Sequence, residues 1–336
     1  MAELYGEKIS KVELRKRVGD MSQIAGATAF TYADGKALGT RAIEVKNGSG
    51  LRFVIMLDRG MDISYAEYKS VPLAYISKTG VVSPAHYDEK DFLRSFTAGL
   101  LTTCGLTYMG GACKDEGKEL GLHGRIANTP AYDISVKEEW VEGDYVITVS
   151  GKVREAVVFG ENIVLIRTIT TKLGDNRIYI HDVVENEGFT KSPLMVLYHM
   201  NFGYPLLSEH TVLETNCENC RPQTEVAAKG LKEACVFSTP VQDYAEQVFH
   251  RDAVTESYAE LKNTSLGLAA RVEFCGEQLP YLIEWKQVGE QEYVVGLEPA
   301  TYPPLGRATA RERGELMYIE PQEIKHFDIT VSVSEG

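Results

Sequence analysis

A period of two runs through most of this sequence, and it restricts the chain to extended strands with one buried side. Ile324-Lys-His-Phe-Asp-Ile-Thr-Val-Ser-Val333 is the cleanest case. Phe327, Ile329, Val331 and Val333 fall on one side of a strand, and His326, Asp328, Thr330 and Ser332 on the other. The same alternation marks Tyr145 to Val149, Ile163 to Ile169 and Arg177 to Val184, with turn residues at Gly174-Asp-Asn176 and Asn186-Glu-Gly188. Residues 41–46 and 51–57 flank Asn47-Gly-Ser-Gly50 and read as a hairpin. Strands return at residues 266–274, 281–285 and 293–297. No rhythm of strands alternating with helices appears, so a parallel sheet is excluded. The expected fold class is all-β, a large antiparallel β-sandwich of two facing sheets. Residues 40–336 are expected to form a single catalytic domain, with residues 1–39 as an N-terminal decoration holding a short charged helix between Ile9 and Met21.

Composition narrows the class of function. Hydrophobic residues make up 44% of the 336 residues and charged residues 25%, enough apolar material for a large core and too much for disorder. The formal net charge of -13 argues against nucleic-acid and anionic-membrane partners. Cys217-Glu-Asn-Cys220 has no second pair at zinc-ribbon spacing, so free thiols in a cytoplasmic protein are expected. The first residues lack a basic stretch followed by an apolar one, so no signal peptide is expected, and no run is long enough to span a membrane.

Two segments carry the candidate chemistry. Pro193-Leu-Met-Val-Leu-Tyr-His-Met-Asn-Phe-Gly-Tyr-Pro205 is an apolar run that delivers His199 and Asn201 just before a turn at Gly203 and Pro205. Val295-Gly-Leu-Glu-Pro-Ala-Thr-Tyr-Pro-Pro304 delivers Glu298. Both residues are expected at strand ends. Gly121-Leu-His-Gly-Arg125 places His123 between glycines, a sign of close backbone approach. His181, beside Asp182 within a strand, reads as a residue of the sheet surface. Glu246 lies in a stretch, residues 241–250, able to project into a site.

In order and spacing, His123-Gly124, Asp182 to Asn186, His199-Met-Asn-Phe202, Leu297-Glu-Pro299 and Ile319 to Glu323 resemble the aldose 1-epimerase, or galactose mutarotase-like, superfamily. The branch most similar is the one labelled domain of unknown function 4432. The likeness covers roughly residues 40–333 and implies a sugar isomerase with the galactose mutarotase-like supersandwich fold. It implies that His199 protonates the ring oxygen, that Glu298 deprotonates the anomeric hydroxyl, and that His123 assists at the ring-oxygen side. Asn201 and Gly203 depart from the superfamily pattern, which has Tyr before the Phe and Asn after it. For the arginine that binds sugar, Arg59, Arg94 and Arg125 compete. For its acidic partner, Glu246, Gln247 and Asp252 compete.

A carboxylate and a histidine suit mutarotation because their ordinary pKa values lie on either side of the working range. Acid and base are expected about 5–8 Å apart across a sugar ring, each with its own hydrogen bond to the ligand. Trp285, Tyr198, Phe202 and Tyr204 are candidates for an apolar wall against the sugar face. The expected partner is a monosaccharide or sugar acid, with no nucleotide cofactor because no glycine fingerprint joins a strand to a helix. A homodimer is compatible with the sequence. Two alternatives stay open. In one, His123, His199 and Glu298 ligate a divalent metal in a sugar isomerase or carbon epimerase. In the other, the sandwich binds carbohydrate without turnover.

Overall fold

A computed structural model describes residues 2–336, and the alternating segments form antiparallel sheets throughout. The largest sheet has eight strands, in the order Tyr132–Val141, Asp144–Ala156, Asn162–Lys172, Arg177–Asn186, Ile324–Glu335, Leu268–Cys275, Glu256–Asn263 and Thr211–Thr215. A six-stranded sheet runs Glu218–Pro222, Gln247–Asp252, Tyr281–Gly289, Glu292–Ala300, Leu197–Gly203 and Thr102–Cys104. A five-stranded sheet runs Ala25–Thr31, Arg41–Asn47, Leu51–Met56, Asp62–Tyr68 and Val71–Pro72. Isolated bridges between Ile63 and Leu101 and between Ala74 and Phe202 join these two smaller sheets edge to edge. One core cluster takes side chains from all three sheets, among them Ile43, Ile180, Tyr198, Leu297 and Val331. The sandwich therefore has the eight-stranded sheet as one layer and the two smaller sheets as the other.

Local sequence explains most of these elements. The C-terminal strand buries Phe327, Ile329, Val331 and Val333, while His326 and Asp328 are exposed. His181 is likewise on the outer face, where its Nδ1 lies 2.6 Å from Asp328 Oδ1. The hairpin around Asn47 to Gly50 forms with Lys46 paired to Arg52. The charged N-terminal segment yields the helix Lys11–Arg17, started by a capping box between Ser10 and Glu13. Among the described residues, no helix is long and apolar enough to cross a membrane. All six cysteines are free, Cys217 and Cys220 included.

One boundary falls elsewhere than expected. Ala25–Thr31 pairs with Arg41–Asn47 along its whole length, so a division at residues 39 and 40 would cut through a hairpin. Residues 25–31 were hard to assign from sequence because Ala25-Gly-Ala-Thr-Ala29 has too little bulk to show a buried and an exposed side.

The layers are tied by a polar network in the core. Arg167, wholly buried, donates to Asp182 Oδ1 and Oδ2 at 2.9 and 2.6 Å, to Asp62 Oδ1 at 2.8 Å, to Thr103 Oγ1 at 2.9 Å and to the Gly60 carbonyl at 3.1 Å. Tyr198 donates its hydroxyl to Asp182 Oδ2 at 2.7 Å. Residues from all three sheets meet here. Replacing Arg167 with Ala leaves two carboxylates buried without their cation, and the expected loss is about 3–5 kcal/mol. Urea unfolding of the variant checks this, and an unchanged midpoint would contradict the role given to the network.

Candidate active site

His199 and Glu298 lie on neighbouring strands of the six-stranded sheet. Leu197 pairs with Ala300 and Met200 with Leu297, a register that sets His199 opposite Glu298. Ile283 pairs with Glu298 from the other side, and Trp285 and Asn201 both pair with Gly296. Since side chains two apart share a face, His199, Asn201, Gly296, Glu298, Ile283 and Trp285 belong to the face turned away from Tyr198, Met200, Leu297 and the sandwich core. His199 Nε2 lies 3.2 Å from Glu298 Oε1. This is closer than the expected separation, because the two are cross-strand neighbours on one sheet rather than residues at the tips of separate strands. The turn after Gly203 falls where expected, but His199 lies inside Leu197–Gly203 and Glu298 inside Glu292–Ala300.

Gly296 makes room for this contact. A Cβ at that position would fall 2.3 Å from Glu298 Oε1 and 3.2 Å from His199 Cε1. His123 arrives from a loop with a left-handed backbone, φ 60°. That conformation is held by hydrogen bonds from His123 N to the Gly110 carbonyl, 3.0 Å, and from Gly105 N to the His123 carbonyl, 3.1 Å. The flanking glycines are required by close approach. A Cβ on Gly121 would lie 2.1 Å from the Glu89 carbonyl oxygen, and one on Gly124 would lie 2.2 Å from that of Gly105.

These groups line a cavity of about 260 Å³ together with Phe92, Phe96, Gly111, Leu122, Gln223, Glu246, Val248, Trp285 and Pro304. The rings of Trp285, Phe96 and His123 stand 5.2, 5.3 and 5.8 Å from that of His199, and Phe92 stands 5.4 Å from His123. Trp285 Nε1 donates to Glu246 Oε2 at 2.8 Å. The structure thus brings together His123, His199, Glu298, Glu246 and Trp285.

The other expected contacts are corrected. Arg59 is buried behind the wall, donating to the Val82 and Ser95 carbonyls at 2.7 and 2.8 Å and to Asn128 Oδ1 at 2.9 Å. It supports the loop that carries Phe96 and does not line the cavity. Arg94 is exposed and paired with Asp91 on its own short turn. Arg125 donates to Glu89 Oε1 at 2.7 Å and covers the Tyr108 ring, whose hydroxyl donates to the same oxygen at 2.6 Å. Asn201 is fully buried, its amide donating to the carbonyls of Gly99 and His199. Of the expected aromatic wall, Tyr198 and Phe202 are core residues on the face of their strand opposite His199, and Tyr204 is exposed in the turn beyond Gly203. Asp252 is held by Arg221. Among the described residues, no group of three or more His, Cys, Asp or Glu side chains is placed to hold a metal ion.

Sequence reasoning missed Phe92, Phe96 and Gln223 as wall residues. Phe92 and Phe96 sit in a loop region without periodicity, and a single glutamine after a strand carries no local signal.

Burial sets the electrostatics. It pushes the Glu298 carboxyl well above the usual carboxylate range, and the nearby Glu246 carboxylate pushes in the same direction. Burial also holds His199 well below the ordinary histidine value, helped by His123 and opposed by the Asn201 side chain. His123 is pushed down to about 4 by burial. Each shift favours the neutral form of its group. His199 Nδ1, His123 Nδ1 and Glu298 Oε1 have no hydrogen-bond partner among the described residues. Unpartnered polar atoms on a cavity wall are open to a ligand.

Gly296→Ala provides a geometric check on the site. The added methyl must displace the Glu298 carboxylate from His199, and displacement by about 1 Å costs on the order of 100-fold in a reaction that uses both groups. The expected outcome is folded protein with intact far-ultraviolet circular dichroism and strongly reduced turnover. Unchanged turnover would mean that the Glu298 position does not matter.

The architecture is the galactose mutarotase-like sandwich. A protein from Klebsiella pneumoniae subsp. pneumoniae MGH 78578, described as an aldose 1-epimerase candidate, superposes with a TM-score of 0.88 at 24% identity, over 93% of this chain and 86% of that one. A galactose mutarotase-like protein from Clostridium acetobutylicum gives 0.66 at 15% identity, over 94% and 100%. A galactose 1-epimerase from Lactobacillus acidophilus NCFM gives 0.61 at 12% identity, over 93% and 99%. No curated protein sequence matches the chain. The model of one family, Domain of unknown function (DUF4432), matches residues 37–333, and the chain belongs to that family.

Proposed function

We propose that this protein is an aldose 1-epimerase-like enzyme that interconverts the anomers of a monosaccharide, with His199 and Glu298 as its proton-transfer pair. The observation that carries the reading is the 3.2 Å approach of His199 Nε2 to Glu298 Oε1 on the wall of an aromatic-lined cavity. The structural likeness to proteins described as aldose and galactose 1-epimerases supports a sugar as the substrate.

The close spacing suits the chemistry. The anomeric hydroxyl and the ring oxygen are both bonded to C1, so acid and base can serve them from one edge of the ring. The Glu298 carboxylate takes the proton of the anomeric hydroxyl as the C1–O bond of the ring breaks and the carbonyl forms. The His199 imidazolium gives its proton to the released ring oxygen. Rotation about C1–C2 followed by the reverse transfers yields the other anomer and returns the proton to its starting place. Burial favours the proton on Glu298 in the free protein. Sugar hydroxyls that donate to the carboxylate stabilise its charged form and move the proton to His199. Trp285, Phe92 and Phe96 pack the apolar faces of the ring and exclude water.

Glu298→Gln and His199→Asn each remove one proton transfer while keeping a polar side chain. Each is expected to lower kcat on the order of 100-fold or more, and the double variant by less than the product, because both groups serve one event. Polarimetry on freshly dissolved pure anomers, over a panel of aldoses, uronic acids and ketoses, checks this. Near-native rates in both variants would defeat the mechanism, and binding without turnover in the native protein would favour a non-catalytic carbohydrate module.

The pH dependence has a definite sign. Activity requires one proton on the pair, so the profile is bell-shaped, and its acid limb lies below the ordinary histidine value of about 6.5. Stability shows the same burial. Below about pH 4.5 Glu298 is protonated folded or unfolded and its burial carries no ionisation cost. Above that pH the unfolded chain releases the proton first, and the cost grows until the raised folded value is reached. Glu298→Gln is therefore expected to melt at a higher temperature than the native protein near pH 7–8, with the difference vanishing near pH 4. Calorimetry across that range measures it.

A further inference from the structure

The charge pattern of the cavity narrows the class of sugar, an inference that rests on the reading of this cavity as a sugar site. Among the described residues, none of those lining it is Lys or Arg. Arg251 and Lys286 are on the neighbouring strands but on the opposite face of the sheet. Arg251 is paired with Glu284 at 2.8 Å, and Lys286 Nζ donates to the carbonyls of Glu233 and Val236 at 2.7 and 2.6 Å.

Away from the reacting pair, the side-chain oxygens of the wall are hydrogen-bond acceptors. Glu246 stands at the exposed rim with Oε2 engaged by Trp285, and its other oxygen makes no hydrogen bond among the described residues. Gln223 Oε1 is buried and unpartnered. Hydroxyl and ammonium groups can donate to such atoms. Carboxylate and sulfate oxygens accept, as those of a phosphate dianion do, and they would meet the Glu246 carboxylate with no Lys or Arg on the cavity wall beside them.

We propose that the cavity selects sugars whose polar groups donate, neutral aldoses and amino sugars, and refuses those carrying a carboxylate, phosphate or sulfate, with Glu246 as the residue that enforces the choice.

The test is binding, measured by titration calorimetry independently of turnover. Matched sets in the gluco, galacto and manno series each comprise the neutral aldose, the 2-amino-2-deoxy sugar, the uronate and the 6-phosphate. In the best-bound series, the uronate and phosphate are expected to bind 10- to 100-fold more weakly than the neutral sugar, from like-charge repulsion at a partly screened site. The amino sugar is expected to bind at least as well as the neutral one. Glu246→Gln should narrow the gap for the anions and remove any advantage of the amine. Equal or tighter binding of an anionic sugar, or a gap that Glu246→Gln leaves unchanged, overturns the inference. The predicted order without anomer interconversion overturns the proposed reaction and leaves this inference standing. Absence of binding in every series overturns both.

Discussion

The buried Arg167 guanidinium holds the molecule's parts in register. It sits in the eight-stranded sheet and reaches Asp62 of the five-stranded sheet and Thr103 of the six-stranded sheet, while Asp182 beside it accepts from Tyr198. Burial raises the Asp62 carboxyl, and Arg167 opposes that rise most strongly among its neighbours. A planar group with five donors can satisfy partners in several directions at once, which an ammonium cannot. Tyr198 and Thr103 pair across adjacent strands, and His199 and Thr102 form the next pair. Because alternate residues point to opposite sides, anchoring Tyr198 in the core presents His199 to the cavity. Core polarity and site geometry are two faces of the same strand.

The walls of the cavity depend on further buried polar contacts. Arg59 holds the loop behind Phe96, and Arg125 with Tyr108 holds Glu89 against the turn that carries His123. Tyr87 adds a hydrogen bond from its hydroxyl to the Gly124 carbonyl, 3.2 Å. Two arginines expected to bind ligand are thus engaged by the protein's own groups, and none of the residues lining the cavity they support is Lys or Arg. The aromatic walls and the neutral acid–base pair follow from the same enclosure. Excluding water raises the Glu298 pKa and lowers that of His199, which favours the neutral form of each.

The site is inexpensive in chain length because the sheet does the positioning. His199, Glu298, Trp285 and Val248 stand on adjacent strands, and the other lining residues, His123 and Glu246 among them, come from the segments between strands. A rigid sheet holds facing side chains more closely than loops can, which is what a 3.2 Å contact between two buried titratable groups requires.

The sequence by itself determined the strand pattern, the all-antiparallel class and the side of each strand that is buried, because a period of two is a local property. It also brought forward His199 and Glu298, polar residues at the end of apolar runs, and His123 between glycines, with Glu246 and Trp285 each as one of several candidates. The tertiary structure alone decided which arginines reach the cavity, because Arg59, Arg94 and Arg125 look alike until the partners of each guanidinium are known. It decided the separation of His199 from Glu298, which is set by pairing between strands about a hundred residues apart in the chain. It also decided that Phe92, Phe96 and Gln223 complete the wall. Periodicity encodes the face on which a residue lies, whereas register and loop packing arise from contacts between distant segments and leave no local trace.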